Sequence, residues 1–186
     1  LHISVYDTAV ADYLAAISET DCLPDTLNLT LKKVAGLRYG ENPHQQGGLY
    51  VVGDGPAGGV AGASQLHGRE VSFNNLMDAD AAWRTVRDFA EPTVAVVKHA
   101  NPCGLASHED QAEAYRRAYE GDSVSSFGGI VGYNRIVTAA TAAAMSPVFY
   151  EVVVAPGYEP EALTVLKKKR NLRVLAMERI GNAPNY

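Results

Sequence analysis

A lysine and a histidine stand side by side at the end of a run of small apolar and β-branched residues. The run covers residues 93–97, and Lys98 and His99 follow it directly. A lysine can stabilise developing negative charge, and histidine is the side chain whose ordinary pKa suits proton transfer near neutral pH. The stretch predicts a catalytic loop at the end of a buried strand. The open alternative is a surface lysine beside a structural histidine.

Two other chemistries fit this stretch less well. Zinc deaminases require His-x-Glu and then Pro-Cys-x-x-Cys, but Asn101 stands where the glutamate is needed and Ala106 where the second cysteine is needed. We therefore expect no zinc site. Cys103 lies close to the lysine and histidine, which can activate a thiol as a nucleophile. Because small buried cysteines are commoner, we expect Cys103 to be structural.

A second group of chemically able residues occupies a polar loop over 36–46, Gly-Leu-Arg-Tyr-Gly-Glu-Asn-Pro-His-Gln-Gln. Arg38 offers a planar fork for a phosphate or a carboxamide, and Tyr39 offers a hydroxyl or a stacking face. The alternative is a solvated connection in which Gly40 and the Asn-Pro pair at 42–43 serve only the backbone geometry. Spacing alone leaves both interpretations open.

The elements around these loops alternate between strand and helix patterns. Residues 93–97 are typical of a strand buried on both faces, and such strands carry functional groups at their carboxyl ends. Asn74 or Asn75 is expected to cap a helix whose first turn holds Asp78 and Asp80, where carboxylates complement the helix dipole. We predict further strands over 2–6, 27–34, 126–133, 149–155 and 171–177, helices over 7–17, 109–120, 138–145 and 160–170, and a glycine-rich linker over 53–62. This order predicts an α/β fold with a mostly parallel or mixed sheet covered by helices.

Composition sets the broad class. The chain has 186 residues, 47% of them hydrophobic and 20% charged, which is typical of one globular domain with an appended segment. Its net charge of −5 argues against nucleic-acid binding through many phosphate contacts. No apolar run is long enough for a membrane helix, and two distant cysteines favour a reducing cytoplasm. The first residue is not methionine, which suggests a piece of a longer protein.

Several motifs occur in an order that is highly specific. The longest are Arg-Tyr-Gly-Glu-Asn-Pro-His-Gln at 38–45, Lys-His-Ala-Asn-Pro-Cys-Gly at 98–104 and Ser-Ser-Phe-Gly-Gly-Ile-Val at 125–131, with weaker ones at 151–158 and 168–175. Together they resemble the bacterial type of the bifunctional purine biosynthesis family that combines AICAR transformylase with IMP cyclohydrolase. The resemblance covers the first half of the family's transformylase domain.

The resemblance implies a three-layer, cytidine-deaminase-like fold without zinc. It divides the chain into a linker helix and lead-in strand over 1–35, a first transformylase subdomain over 36–178, and a tail over 179–186. It also implies formyl transfer from 10-formyltetrahydrofolate, a co-substrate, to the 5-amino group of AICAR. A homodimer of the full-length protein in the cytoplasm is implied as well. The alternative is a nucleotide-binding or structural fragment that is inactive without the missing second half.

The family's functional residues fall on matching positions of this chain. The resemblance implies that His99 accepts a proton and that Lys98 stabilises the transition state. It assigns AICAR binding to Arg38, Tyr39, Gly128 and Glu151, with Asn101 and Asn75 lining the pocket.

Overall fold

The computed structural model describes residues 2–17, 29–52 and 58–177. Its helices are α1 (His2–Ile17), α2 (Phe73–Arg87), α3 (Gln111–Gly121), α4 (Ala139–Met145) and α5 (Pro160–Leu166), with a short 3₁₀ helix at Gly59–Gly62. Its strands are β1 (Leu31–Leu37), β2 (Gly47–Val52), β3 (Ser64–His67), β4 (Thr93–Lys98), β5 (Asn101–Ser107), β6 (Ile130–Tyr133), β7 (Val152–Ala155) and β8 (Arg173–Ala176).

Six of the strands form one mixed sheet in the order β3-β8-β7-β6-β4-β5. Strands β6, β7 and β8 are parallel to one another, while β4 is antiparallel to both of its neighbours and β3 is antiparallel to β8. The remaining two strands, β1 and β2, form a separate antiparallel ribbon. The prediction of an α/β fold with a mixed sheet is confirmed.

Helices cover both faces of the large sheet, and β4 shows why. Val94 and Val96 pack into an apolar core with α3, α4 and α5, while Ala95 and Val97 pack into a second core with α2. All four side chains are fully buried. Because successive residues of a strand point to opposite faces, a strand between two helical layers has no polar face. The predicted burial of this strand on both faces is confirmed.

The direction of β4 changes where the functional groups lie. Its carboxyl end, at Lys98, lies beside the amino end of β6, because Val97 pairs with Ile130 in an antiparallel register. Ile130 in turn pairs with Val152 of β7, which runs parallel to β6. The sequence suggested the carboxyl ends of a largely parallel sheet. The edge that carries Lys98 instead joins the carboxyl end of β4 to the amino ends of β6, β7 and β8.

Several local predictions are wrong. Residues 2–6, predicted as a strand, belong to α1, because five alternating residues also fit a helical spacing. The residues after Asn101 form β5 rather than a loop, and β2 and β3 were not predicted. Helix α2 begins earlier than predicted, with Ser72 as its N-cap in a reciprocal capping box with Asn75. Residues 27–28 of the predicted strand over 27–34, residues 53–57 of the predicted linker over 53–62 and the whole predicted tail over 179–186 lie outside the described residues.

Candidate functional site

The β4–β5 hairpin carries the predicted catalytic pair, with Lys98 as the last residue of β4 and His99 in the two-residue turn. Lys98 pairs with Asn101, and the turn consists of His99 and Ala100, with φ values of 54° and 60°. Positive φ at both turn positions suits the twist of a hairpin, but such turns strongly favour glycine or asparagine. A left-handed conformation costs an L-residue roughly 1–2 kcal/mol. The turn is thus strained at His99, the predicted proton acceptor.

Both sides of the strained peptide bond have hydrogen-bond partners. The carbonyl oxygen of His99 accepts a bond of 2.8 Å from Nδ2 of Asn101. The amide of Ala100 donates a bond of 2.7 Å to Oδ1 of Asp78, which reaches it from α2. The amide of Asn101, which was predicted to line the pocket, contacts the turn itself. Asp78 was predicted to complement the helix dipole, but α2 begins at Phe73, so Asp78 lies beyond the first turn.

Lys98 points along the edge of the sheet toward the segment before β6. Its Nζ donates a bond of 2.9 Å to the carbonyl oxygen of Phe127. Hydrogen bonds from Ser125 are the main cause of a lowered pKa at Asp122, and the positive charge of Lys98 lowers it further by a smaller amount. An ammonium has three donors, so the bond to Phe127 leaves two for other partners.

Gly128 lies next to this carbonyl and has a φ of 74°. Its amide is not free, because it donates a bond of 2.8 Å to the carbonyl oxygen of Phe149. The rings of Phe127 and Phe149 lie 5.3 Å apart beside it, and both are exposed. A glycine is required here by its backbone angle, since an added Cβ would meet nothing closer than 3.8 Å.

Glu151 lies at the start of β7, and its side chain is paired with a buried arginine. Its Oε2 accepts a bond of 2.6 Å from Nη1 of Arg173, while its amide bonds to the carbonyl oxygen of Gly129 at 3.0 Å. Arg173 also donates from Nε to the carbonyl oxygen of Glu70 at 3.0 Å. The edge that carries Lys98, Gly128, Glu151 and Arg173 is called the site edge below.

The loop at 38–46, called the arm below, is attached to the start of α2. The amide of Arg38 donates to Val71, the amide of Phe73 donates to Tyr39, and Nδ2 of Asn74 donates to Glu41, all at 3.1–3.3 Å. The arm therefore follows the capped end of α2 rather than extending freely into solvent.

Arg38 and Tyr39 contact each other within the arm. Nη2 of Arg38 donates a bond of 3.0 Å to the Tyr39 hydroxyl, and its guanidinium lies 4.7 Å from the centre of the ring. A hydrogen bond from the Ser72 side chain, followed by that from Arg38, lowers the pKa of Tyr39. Burial and, less strongly, the negative charge of Glu151 act in the opposite direction and raise the pKa of the same phenol.

The thiol of Cys103 was the other candidate reactive group near the hairpin. Cys103 donates from Sγ to the carbonyl oxygen of Val96 at 3.4 Å and packs against the core, in agreement with a structural role. Within residues 2–17, 29–52 and 58–177, no group of three or more His, Cys, Asp or Glu residues could hold a metal ion. In the same ranges, no helix is long and apolar enough to cross a membrane.

An apolar cavity lies against α4 and α5, on the face of the sheet that these helices cover. Its lining includes Met145, Tyr150 and Leu166 but none of the predicted site residues. The amine of Lys169 lies at its wall and donates to the carbonyl oxygen of Val148. Burial lowers the pKa of Lys169, which is a consequence of packing rather than of a polar ligand site.

Three residues that the sequence analysis did not assign to the site contact the predicted site residues or the turn that carries them. Ser72 bonds to Tyr39, Asp78 holds the turn, and Arg173 pairs with Glu151. Only Arg173 left a signal in the sequence, because a charged residue at the start of a buried strand needs a partner. The other two contacts depend on the way α2 crosses the sheet.

Comparison with known proteins agrees with the resemblance. A sequence model of the AICARFT/IMPCHase bienzyme family matches residues 1–185. The bifunctional purine biosynthesis protein PurH of Acetivibrio thermocellus is 46% identical over 180 residues, which cover 97% of this chain and 35% of that protein. PurH of Bacillus subtilis is 46% identical over 178 residues, with 95% of this chain and 34% of that protein covered.

A third relative, PurH of Acidithiobacillus ferrooxidans, is 49% identical over 180 residues, which cover 95% of this chain and 34% of that protein. The chain therefore spans about a third of the length of the curated relatives it matches. The match nevertheless runs through nearly the whole chain, including both the arm and the β4–β5 hairpin. The chain belongs to the AICARFT/IMPCHase bienzyme family, which is a family of enzymes.

Proposed function

We propose that this chain forms part of a formyltransferase site, which transfers the formyl group of 10-formyltetrahydrofolate to the 5-amino group of AICAR in purine biosynthesis. The observation that carries the proposal is the position of Lys98, followed directly by His99 in the hairpin turn, at the edge that also carries Gly128 and Glu151. The names of the relatives support purine biosynthesis as the setting.

The reaction needs help at the amine of AICAR, because its lone pair is delocalised into the imidazole and the carboxamide. In the proposed step the amine nitrogen bonds to the formyl carbon and its proton passes to the imidazole of His99. The bond from the formyl carbon to N10 of the folate then breaks, and that nitrogen takes a proton. Lys98 stabilises the oxyanion with a donor not used by Phe127 and can supply this proton.

Substrate binding is assigned to residues of the arm and of the site edge. Arg38 and Tyr39 of the arm offer a guanidinium and a phenol, which suit a phosphate or a carboxamide. Glu151 accepts from the amide or amine of AICAR, and Gly128 contributes its backbone. Asn101 acts on the turn as well as on the pocket, because its amide is bonded to the carbonyl of His99.

The rest of the proposal concerns the whole protein. Residues 36–178 form the first cytidine-deaminase-like subdomain of the transformylase, preceded by a linker over 1–35 and followed by a tail over 179–186. Strand β1 runs through the first of these boundaries. The full-length protein is a cytoplasmic homodimer that binds AICAR and folate without a metal.

The test places His99→Ala and Lys98→Ala separately in the complete bienzyme and measures formyl transfer, cyclohydrolase activity and AICAR binding. Loss of a general base is expected to slow formyl transfer by about 10²–10⁴-fold, and loss of the lysine by about 10²–10³-fold, with AICAR binding retained. The matched control is Lys168→Ala, an exposed lysine after α5, which should change neither activity.

Two results would overturn the assignment. If both variants kept near-normal formyl transfer, His99 and Lys98 would not be the catalytic pair. If they lost cyclohydrolase activity instead, this region would serve the other reaction of the bienzyme. Calorimetry with AICAR on the chain alone tests the rival function, a nucleotide-binding module. Heat of binding without formyl transfer would support that module.

A further inference from the structure

The peptide bond between His99 and Ala100 is held on both of its polar atoms. The side chain of Asn101 donates to its oxygen, and the carboxylate of Asp78 accepts from its nitrogen. The first partner belongs to the hairpin, so it moves with the turn. The second belongs to α2, which packs against the sheet through Ala79, Ala82 and Val86. Of these two contacts, the one from Asp78 joins the turn to a different element of the protein.

We propose that Asp78 is a positioning residue for His99, which it orients through the amide of Ala100. The proposal rests on the proposed function of His99 as the proton acceptor. Both turn residues have positive φ, although neither is glycine, so the turn needs an external contact to outweigh its strain. A bond of 2.7 Å from an amide to a carboxylate is of the strong, charge-assisted kind.

The neighbouring carboxylate on the same helix shows what Asp78 does that a surface aspartate does not. Asp80 makes an ion pair with Arg84 on its own helix at 3.9 Å, with both side chains well exposed. Asp78 instead spans from α2 to the hairpin. Helix α2 already has a complete N-cap in Ser72, so Asp78 is not needed to begin the helix.

Loss of this contact should act on the rate of the reaction more than on AICAR binding. Without it, the 99–100 peptide can rotate toward a less strained turn, and the imidazole of His99 then leaves the reacting amine. Arg38, Tyr39 and Glu151 make none of their bonds through Asp78. A misplacement of about 1 Å at a reacting group can cost about 10²-fold in rate.

The experiment compares Asp78→Ala, Asp78→Asn and the control Asp80→Ala in the complete bienzyme. Asp78→Ala should lower kcat for formyl transfer by about 10–100-fold and leave KM for AICAR within about twofold. Asp78→Asn keeps an acceptor oxygen and should retain most of kcat, while Asp80→Ala should match the unaltered enzyme. Adding Ala100→Gly to Asp78→Ala should restore part of kcat, because glycine adopts positive φ without strain.

Hydrogen exchange of the Ala100 amide gives a readout independent of activity. Asp78→Ala should speed its exchange by about tenfold or more, since the amide loses its acceptor, whereas Asp80→Ala should not. Unchanged exchange would overturn the inference whatever the activity. Faster exchange with unchanged kcat would overturn the positioning role, as would an equal loss of kcat in Asp80→Ala. If His99→Ala itself keeps normal turnover, the proposed function fails while the exchange result still decides whether the contact exists.

Discussion

The ion pair between Glu151 and Arg173 should respond very differently to loss of its two partners. The side chain of Arg173 is 2% exposed, whereas that of Glu151 is 40% exposed. Removal of Glu151 leaves a buried guanidinium without its counter-charge, whereas removal of Arg173 leaves a carboxylate that water can reach. We therefore expect Glu151→Ala to destabilise the chain more than Arg173→Met does.

The expected losses of stability follow from comparing this pair with a fully buried ion pair and with an exposed one. Breaking a fully buried pair costs about 3–5 kcal/mol, and an exposed pair contributes about 0–1 kcal/mol. With one partner buried and the other partly exposed, Glu151→Ala should cost about 2–3 kcal/mol. Arg173→Met should cost about 1 kcal/mol, since methionine fills much of the volume and the lost hydrogen bonds go to the carbonyl of Glu70 and to the carboxylate and carbonyl of Glu151, whose side chain water can reach.

Equilibrium urea unfolding, followed through the single tryptophan, Trp83, measures both values. The double variant should be about as stable as Arg173→Met alone, because Glu151 has no buried charge to compensate once the arginine is gone. An Arg173→Met variant that is as unstable as Glu151→Ala, or less stable, would refute the reasoning. It would mean that packing of the arginine outweighs the cost of burying its charge.

Three further predictions concern the residues around the site. Gly104→Ala should cost about 3 kcal/mol or more in urea unfolding, because its Cβ would lie 1.7 Å from a backbone oxygen of α3, whereas Gly36→Ala, with no atom within 4 Å, should be nearly neutral. Gly128→Ala should cost about 1–2 kcal/mol through its positive φ alone, and a neutral result would show that the backbone adjusts freely. Ser72→Ala should raise the pKa of Tyr39 toward its ordinary value in a tyrosine NMR titration, because the hydroxyl's hydrogen bond is the main cause of its lowering; an unchanged titration would contradict this.

The sequence predicted best those elements whose apolar pattern matches their burial. Strand β4 and helices α3, α4 and α5 lie close to their predicted positions, because each presents buried side chains at regular spacing. Strand β5 was missed because it contains proline and glycine. It is an edge strand, where Pro102 can be accommodated, and Gly104 lets α3 approach closely.

In the candidate site, too, the sequence predicted local features but not contacts between distant elements. Local motifs predicted Lys98 and His99 as a catalytic pair, but they could not show that β4 runs antiparallel to β6, which decides which strand ends meet at the site edge. Nor could they show that Asp78 crosses to Ala100, because that contact depends on how α2 packs on the sheet. Long-range geometry of this kind follows from tertiary packing, which no short pattern encodes.

The exposure of the arm has a consequence for the entropy of ligand binding. Arg38 is exposed and directly follows β1, which is itself almost wholly exposed, whereas Glu151 is held by a buried arginine. A ligand that reaches the arm must immobilise long side chains there, at roughly 0.5–1.5 kcal/mol of lost entropy for each. The sheet side demands little ordering. The arm therefore makes the entropic share of binding grow with how far a ligand extends beyond the site edge.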